Sequence, residues 1–265
     1  MALESLNATG ASSPYMNDLF KVNQSLTSGS RINNSADDAA GQAIVSSLTS
    51  QVNAQDVGVQ NANTGINLLQ TADGASSSIT QQLQRLSELS LQAQNGTYSD
   101  AQRTILNQEF QQGLESINQF AESASFNGIK LLNADNPSLN IALGADNNTS
   151  TLQLPDLTVN NLGLTGTDIS TSTNAETVQS QISDVLGLIS DSRAQLGAQQ
   201  NGLVSAANDL MNQNVNSHST RSQINDTDYA KAVTDQARQQ VLNNASVAML
   251  AQRNQNYANV LPLLS

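Results

Sequence analysis

Residues 37–94 read DDAAGQAIVSSLTSQVNAQDVGVQNANTGINLLQTADGASSSITQQLQRLSELSLQAQ. Apolar side chains recur at Ile44, Leu48, Val52, Val59, Ala62, Ile66 and Leu69, then at Ile79, Leu83, Leu86 and Ala93. The steps are mostly three or four, with a mean of about 3.5, the period of a coiled-coil seam on one long helix. No proline interrupts the run, and Gly41, Gly58, Gly65 and Gly74 leave its phase intact. At ~1.5 Å per residue such a helix extends roughly 85 Å, so it needs partner helices of similar length. The spacing predicts a rod whose other helices come from the rest of the chain.

Outward from this stretch, Ser35 with Asp38 three residues on is the expected N-cap, with the acids placed where the helix dipole favours them. Asn95-Gly96 is a left-handed stop signal. Ser99-x-x-Gln102 then opens a second, antiparallel helix with apolar positions at Ile105, Phe110, Leu114, Ile117, Phe120 and Ala124. Between Phe126 and Thr173 the segments IKLL, LNIAL and TLQLPDLTV lie among Asn, Asp, Pro and Gly clusters. They predict two or three short strands or hairpins with irregular loop.

Helical periodicity returns after Thr173-x-x-Glu176, a second expected capping box. Val178, Ile182, Val185, Ile189, Leu196, Leu203 and Leu210 line one face to about Asn216. A last helix follows Asp226-Thr-Asp, with Ala230, Val233, Ala237, Val241, Ala245 and Leu250, and ends at Pro262-Leu-Leu-Ser. At the other end, Leu3, Leu6, Leu19, Val22 and Leu26 give a weak stripe interrupted by Gly10 and Pro14, which predicts a marginal helix or disorder. Neither end buries its own stripe, so the two ends are expected to pair. The fold class is mainly α: an elongated antiparallel helical bundle or coiled coil built from paired N- and C-terminal segments, with a small β-hairpin-containing insert. Its parts are an arm and connector at 1–36, long-helix segments at 37–125, the insert at 126–173, a returning helix at 174–220, and a connector and terminal helix at 221–265.

Composition narrows the function. The chain of 265 residues carries 22 acids and 10 bases, a net charge of −12, which argues against nucleic-acid binding. Aromatics make up 3% and tryptophan is absent, as suits a thin bundle of Ala, Leu, Ile and Val seams better than a globular enzyme core. Without cysteine there is no disulfide and no thiolate metal site, a composition compatible with life outside the reducing cytoplasm. No run of ~18 apolar residues exists to insert into a membrane. The first residues, MALESLNATGASSPY, have neither the basic nor the apolar region of a secretory signal peptide.

Catalytic chemistry finds no residues. His218 is the single histidine and reads as an exposed, structurally neutral side chain. There is no nucleophile elbow and no HExxH, and the Asn and Asp runs at 133–148 lack calcium-loop spacing. No cofactor is expected. One patch stands out instead. In LQRLSELSLQ (83–92), Arg85, Leu89 and Gln92 form an i, i+4, i+7 stripe beside the seam. An exposed Leu next to Arg there would be a contact surface.

The spans SGSRINNSADDAAGQAI (28–44), NTGINLLQTADGA (63–75), LQRLSELSLQ (83–92), FNGIKLL (126–132), RAQLGAQQN (193–201) and DYAKAVTDQARQQVLNNASVAMLAQRNQNYANVLPLLS (228–265) resemble bacterial flagellin, in that family's order and spacing. The resemblance implies a non-enzymatic subunit of the flagellar filament, secreted unfolded through the flagellum's own channel, with a short central region. It implies that the terminal helices drive polymerisation, through Leu19, Val22, Leu26, Val233, Ala237, Val241, Ala245 and Leu250. Expected partners are copies of the chain, an export chaperone, and cap and hook-associated proteins. In many flagellins the segment at 83–92 is both a subunit contact and the recognition site of Toll-like receptor 5. Gln84, Arg85, Leu89, Gln92 and Glu109 match that pattern, while Ser87 stands where a second arginine is usual. A minor flagellin or a hook–filament junction protein shares the paired-end plan, though DDAAG and LQRLSEL favour flagellin. A chemoreceptor hairpin is the sensory alternative, and the β-rich middle argues against it.

Overall fold

A computed structural model describes residues 13–144 and 148–260. In chain order the elements are helices α1 (Ser13–Ser28), α2 (Ala39–Gln94) and α3 (Asp100–Ser123), strands β1 (Ser125–Phe126), β2 (Ile129–Lys130), β3 (Ser138–Ala142) and β4 (Thr149–Gln153), and helices α4 (Ser172–Asn225) and α5 (Tyr229–Val260). The readings of Leu3, Leu6 and Gly10, and of the stop at Pro262-Leu-Leu-Ser, lie outside the described residues. The chain divides into two compact units, one of residues 1–52 with 215–265 and one of residues 53–214.

In the larger unit α2 and α4 run antiparallel in one register. Gln94 Nε2 donates to the Ala175 carbonyl at 3.2 Å, Gln179 Nε2 to Ser87 Oγ at 2.9 Å, and Asn214 Nδ2 to Asp56 Oδ1 at 2.9 Å. The partner on α4 rises in number as that on α2 falls, as an antiparallel pair requires. The seven α4 positions of the expected stripe, from Val178 to Leu210, are all buried, as are Ala62, Leu69, Ile79, Leu83, Leu86 and Ala93 of α2. Of the other expected α2 positions, Val52 is buried, Leu48, Val59 and Ile66 are half-buried, and Ile44 is exposed. α3 folds back on α2 and buries Phe110, Leu114, Ile117 and Ala121, whereas Ile105 and Phe120 turn outward. A helix touching two neighbours buries a wider stripe than a two-stranded seam. Accordingly α2 also buries Leu68, Ala72 and Leu89.

Close approach explains two glycines. A Cβ on Gly58 would sit 2.5 Å from the Leu143 carbonyl oxygen, and one on Gly113 would sit 2.4 Å from a Leu86 methyl. The first glycine lets the chain after β3 lie on α2, and the second lets α3 press against it.

The caps differ in part from expectation. Ser99 and Gln102 form the expected capping box, with both reciprocal bonds present. At the start of α2 the cap is Asp38, whose Oδ1 accepts from the Gly41 amide at 2.8 Å, and Ser35 lies in the preceding turn. α4, by contrast, is capped two residues earlier than expected: Thr171 Oγ1 accepts from the Asn174 amide at 3.2 Å. In both cases the residue immediately before the first helical one reaches the free amides. Gly96 is not left-handed. Instead α2 ends in an Asn95 side-chain turn onto the Thr97 amide, and the buried Arg103 donates to the Ala93 carbonyl at 2.8 Å and the Asn95 carbonyl at 3.1 Å. α4 also continues to Asn225, past the expected end near Asn216, because no helix breaker lies between.

The insert is two antiparallel hairpins, β1–β2 and β3–β4. Two helix side chains clamp the second one. Asn61 Nδ2 donates to the Ala142 carbonyl at 2.9 Å, and Gln199 both accepts from the Gln153 amide at 2.6 Å and donates to its carbonyl at 3.1 Å. The irregular stretch that follows adds Leu154, Leu157, Leu162, Leu164 and Ile169 to the same core.

In the smaller unit α1 and α5 pack antiparallel. Tyr229 Oη donates to the Leu26 carbonyl at 3.2 Å, Gln236 Nε2 to Asn23 Oδ1 at 2.6 Å, and Asn243 Nδ2 to Met16 Sδ at 3.5 Å. The two connectors meet at a β-bridge between Ser30 and Asp226. Arg31 reinforces it by donating Nη2 to the Ile224 carbonyl at 2.7 Å and Nε to the same oxygen at 3.2 Å. Pro14 sits in the first turn of α1, where its missing amide is tolerated, so it starts this helix without interrupting it.

Candidate functional site

Two surfaces carry the residues singled out by the sequence. The first lies on α2 and α3. Arg85 Nη2 donates to Glu109 Oε1 at 2.7 Å and Nε to the same oxygen at 3.2 Å, while Nη1 reaches Glu88 Oε2 at 3.1 Å. The hydrogen bond to Glu109, followed by that to Glu88, raises the guanidinium pKa above its already high ordinary value. Arg85 is thus a fixed positive charge between two carboxylates. Gln84 and Gln92 are exposed beside it.

Leu89 is not part of this surface. Its side chain is 1% exposed and belongs to the hydrophobic core, which corrects the reading of it as an exposed contact residue. It lies three residues after Leu86 and four before Ala93, inside the widened stripe of a helix with two neighbours. The apolar member of the exposed face is Leu91, 62% exposed, seven residues after Gln84 and three after Glu88. That i, i+4, i+7 relation was present in the sequence as Gln84, Glu88 and Leu91. The surface therefore presents Gln84, Arg85, Glu88, Leu91, Gln92 and Glu109.

The second surface is the α1–α5 pair. α1 turns Leu19, Val22 and Leu26 towards the seam, where each is half-buried. α5 behaves differently. Its half-buried positions are Ala232, Asp235, Gln236, Gln239, Asn243, Ser246 and Leu250, mostly small or polar. Val233, Ala237, Val241 and Ala245, expected to seal the pair, are exposed, and so are Leu242, Val247 and Met249. Of the expected α5 stripe, Leu250 alone is half-buried. Polar side chains that bond across the seam hold α5 in this orientation: Gln236 to Asn23 and Asn243 to Met16. Among the described residues, the oxygens Gln239 Oε1 and Asn243 Oδ1 are buried there without hydrogen-bond partners. α5 thus buries its polar edge and shows its apolar one.

Catalytic and metal-binding arrangements do not emerge. No group of three or more His, Asp and Glu side chains could hold a metal among the described residues. His218 Nδ1 lies 3.1 Å from Arg221 Nη2, one helical turn away on the exposed face of α4. No described helix is long and apolar enough to cross a membrane.

Comparison with known proteins agrees with this architecture. Residues 3–137 match the model of the bacterial flagellin N-terminal helical region, and residues 176–264 that of the C-terminal helical region. The chain is 36% identical over 266 residues to flagellin from Halalkalibacterium halodurans, covering 99% of this chain and 97% of that one. It is 33% identical to a flagellar filament 30.7 kDa core protein of Treponema maltophilum, over 96% of this chain and 98% of the relative. Among solved structures, Bacillus cereus flagellin superposes with a TM-score of 0.52 at 30% identity, covering 57% of this chain and 88% of that one. With matching regions at both ends and a relative of nearly equal length, the chain belongs to the bacterial flagellin family.

Proposed function

We propose that this chain is a structural subunit that polymerises with copies of itself into the bacterial flagellar filament, outside the cell, and that it serves swimming motility without catalysis. One observation carries the assembly mechanism: Val233, Val241, Leu242, Val247 and Met249 stand exposed on a helix whose seam with α1 is polar. A row of large apolar side chains left open on a helix pair is a docking surface, and neighbouring copies offer the matching surface. Burying it between subunits offsets the entropy of ordering the terminal helices. An export chaperone, cap and hook-associated proteins are the expected transient partners of the same ends.

The Arg85 surface is proposed as a second contact, between subunits or with Toll-like receptor 5. Leu91 supplies its apolar centre in place of Leu89, and the Glu109–Arg85–Glu88 chain holds the guanidinium in one orientation. Seeded polymerisation of the purified chain, followed by light scattering and electron microscopy, tests the reading. Tubular filaments are expected from the full chain, and a soluble non-polymerising subunit after removal of roughly the last thirty residues. Normal filaments from the truncated chain would refute the terminal-helix mechanism.

A further inference from the structure

Asn95-Gly96 ends α2 without the left-handed glycine that the pair signals, and its geometry suits a different chemistry. Both residues are exposed, and a Cβ on Gly96 would meet nothing within 4 Å, so water reaches the step freely. The Gly96 amide donates no hydrogen bond among the described residues. Asn95 Oδ1 accepts from the Thr97 amide and from Thr97 Oγ1, both at 3.0 Å. Two donors on that oxygen polarise the carboxamide towards a nucleophile and stabilise the negative charge that an attack on Cγ creates. We propose that Asn95 is the deamidation site of the folded chain, closing to a succinimide on the Gly96 nitrogen with Thr97 as the donor to the developing oxyanion.

In the step, the Gly96 amide loses its proton to hydroxide and its nitrogen attacks Asn95 Cγ. The N–Cγ bond forms, the Cγ–Nδ2 bond breaks, and ammonia leaves after taking up a proton from water. Water then opens the imide at either carbonyl, giving aspartate or isoaspartate, and the new acid ionises. Nothing is oxidised or reduced. Ring closure turns the asparagine backbone about its Cα–C bond, and the chain's three Asn-Gly steps differ in what resists that turn. Asn201-Gly202 lies inside α4, where the helical ladder holds the attacking amide. Asn127-Gly128 is the two-residue turn of β1–β2, with φ of 49° and 81° and the Phe126–Ile129 pair closing it. At Asn95 the rotation releases the Asn95 carbonyl from the Tyr98 amide at 3.2 Å and from Arg103 Nη2 at 3.1 Å, while Arg103 Nε keeps the Ala93 carbonyl at 2.8 Å. No helix or strand has to open. The consequence for docking rests on the proposed contact at Arg85: the charge added three residues after Gln92 makes that face more acidic.

The test incubates the full chain in mildly alkaline buffer prepared with heavy-oxygen water. Peptide mass spectrometry follows the mass gain at Asn95, Asn127 and Asn201, and an isoaspartyl methyltransferase reports the isoaspartyl product. In the folded chain Asn95 is expected to react at least about tenfold faster than either of the others, the factor that an extra local opening of ~1.4 kcal/mol imposes. In concentrated urea the three should react at similar rates, because the fold is what separates them. Thr97→Val keeps the amide donor and removes the hydroxyl, so it should slow Asn95 roughly three- to tenfold in the folded chain, the scale of one hydrogen bond. Thr97→Ser should restore the rate. Asn127 or Asn201 matching Asn95 in the folded chain, or an unchanged rate in Thr97→Val, overturns the proposal. The measurement needs no filament, so a failure to polymerise would count against the assembly mechanism alone.

Discussion

Arg193 of α4 grips Asp73 of α2 with two hydrogen bonds, Nε to Oδ1 at 2.7 Å and Nη2 to Oδ2 at 3.3 Å, across 120 residues of sequence. The bond to Asp73 raises the Arg193 pKa further above its ordinary value, so the arginine stays charged throughout the working pH range. Both side chains remain more than a third exposed, which keeps the energy of the pair small. Asp73→Asn is expected to cost under about 1 kcal/mol at low salt and still less at ~1 M salt, where exposed charges are screened. Urea unfolding at the two ionic strengths checks it. A large, salt-independent loss would mean that Asp73 acts through packing.

Leu89 and Leu91 are two residues apart and should respond in opposite ways. Leu89→Ala opens a cavity in the core shared by α2, α3 and α4, with an expected loss of ~2–5 kcal/mol. Leu91→Ala removes an exposed side chain and should leave unfolding unchanged while weakening whatever docks beside Arg85. Chemical denaturation of the two variants separates the core residue from the surface one. Equal destabilisation would contradict the assignment.

Gly58→Ala puts a methyl 2.5 Å from the Leu143 carbonyl oxygen and 3.1 Å from a Leu210 methyl. A backbone atom cannot rotate aside as a side chain can, so the segment after β3 must shift off α2. The expected cost is ~1–3 kcal/mol, despite the better helix propensity of alanine. Gly74→Ala is the control, since a Cβ there meets nothing within 4 Å, and it should be neutral or stabilising. Thermal melts of both variants make the comparison.

Acid should loosen the start of α2. The Asp38 carboxylate is held below its ordinary pKa of 3.8, first by the Gly41 amide and then by Arg31. A depressed carboxylate pKa contributes stability above the unfolded value, and that contribution is lost as pH falls through the folded one. The protection of amides in the first turn of α2, measured against their intrinsic exchange at each pH, should therefore fall below about pH 4. Asp38→Asn keeps an N-cap acceptor without the charge, so its protection should vary less with pH than that of the wild type. An identical acid response in the variant would place the titration elsewhere.

The heptads of α2 and α4 were legible because a long helix writes its buried face directly into its spacing. Ser99 and Gln102 were legible for the same reason, as the capping box is a local signal. Asp38 and Thr171 show the limit: several Ser, Thr, Asp and Asn residues precede each helix, and the final turn geometry chooses among them. Leu89 was misplaced because a two-helix seam predicts a narrow stripe, whereas α3 and α4 together cover a wider one. Leu157, Leu164 and Ile169 lie in irregular chain with no period to read, and long-range packing alone buries them. α5 is the most instructive case. Its apolar period gives the face without saying which neighbour covers it.

That last distinction can be tested directly. Val241 and Val233 lie eight residues apart on the exposed edge of α5, and neither is buried by α1. If this edge docks on other subunits, Val241→Asp should abolish seeded polymerisation or slow it by at least about tenfold, since an unpaired charge would have to be desolvated at each contact. The helix content and urea midpoint of the unassembled chain should stay the same, because the substituted side chain faces solvent there. Asn243→Leu provides the opposite case: it replaces a buried, half-satisfied amide in the α1–α5 seam by an apolar group and should raise helix protection in the unassembled chain. Circular dichroism and hydrogen exchange report the unassembled state, and light scattering with seeds reports growth. A Val241→Asp protein that grows at the wild-type rate would show that the apolar edge of α5 faces something other than a neighbouring subunit.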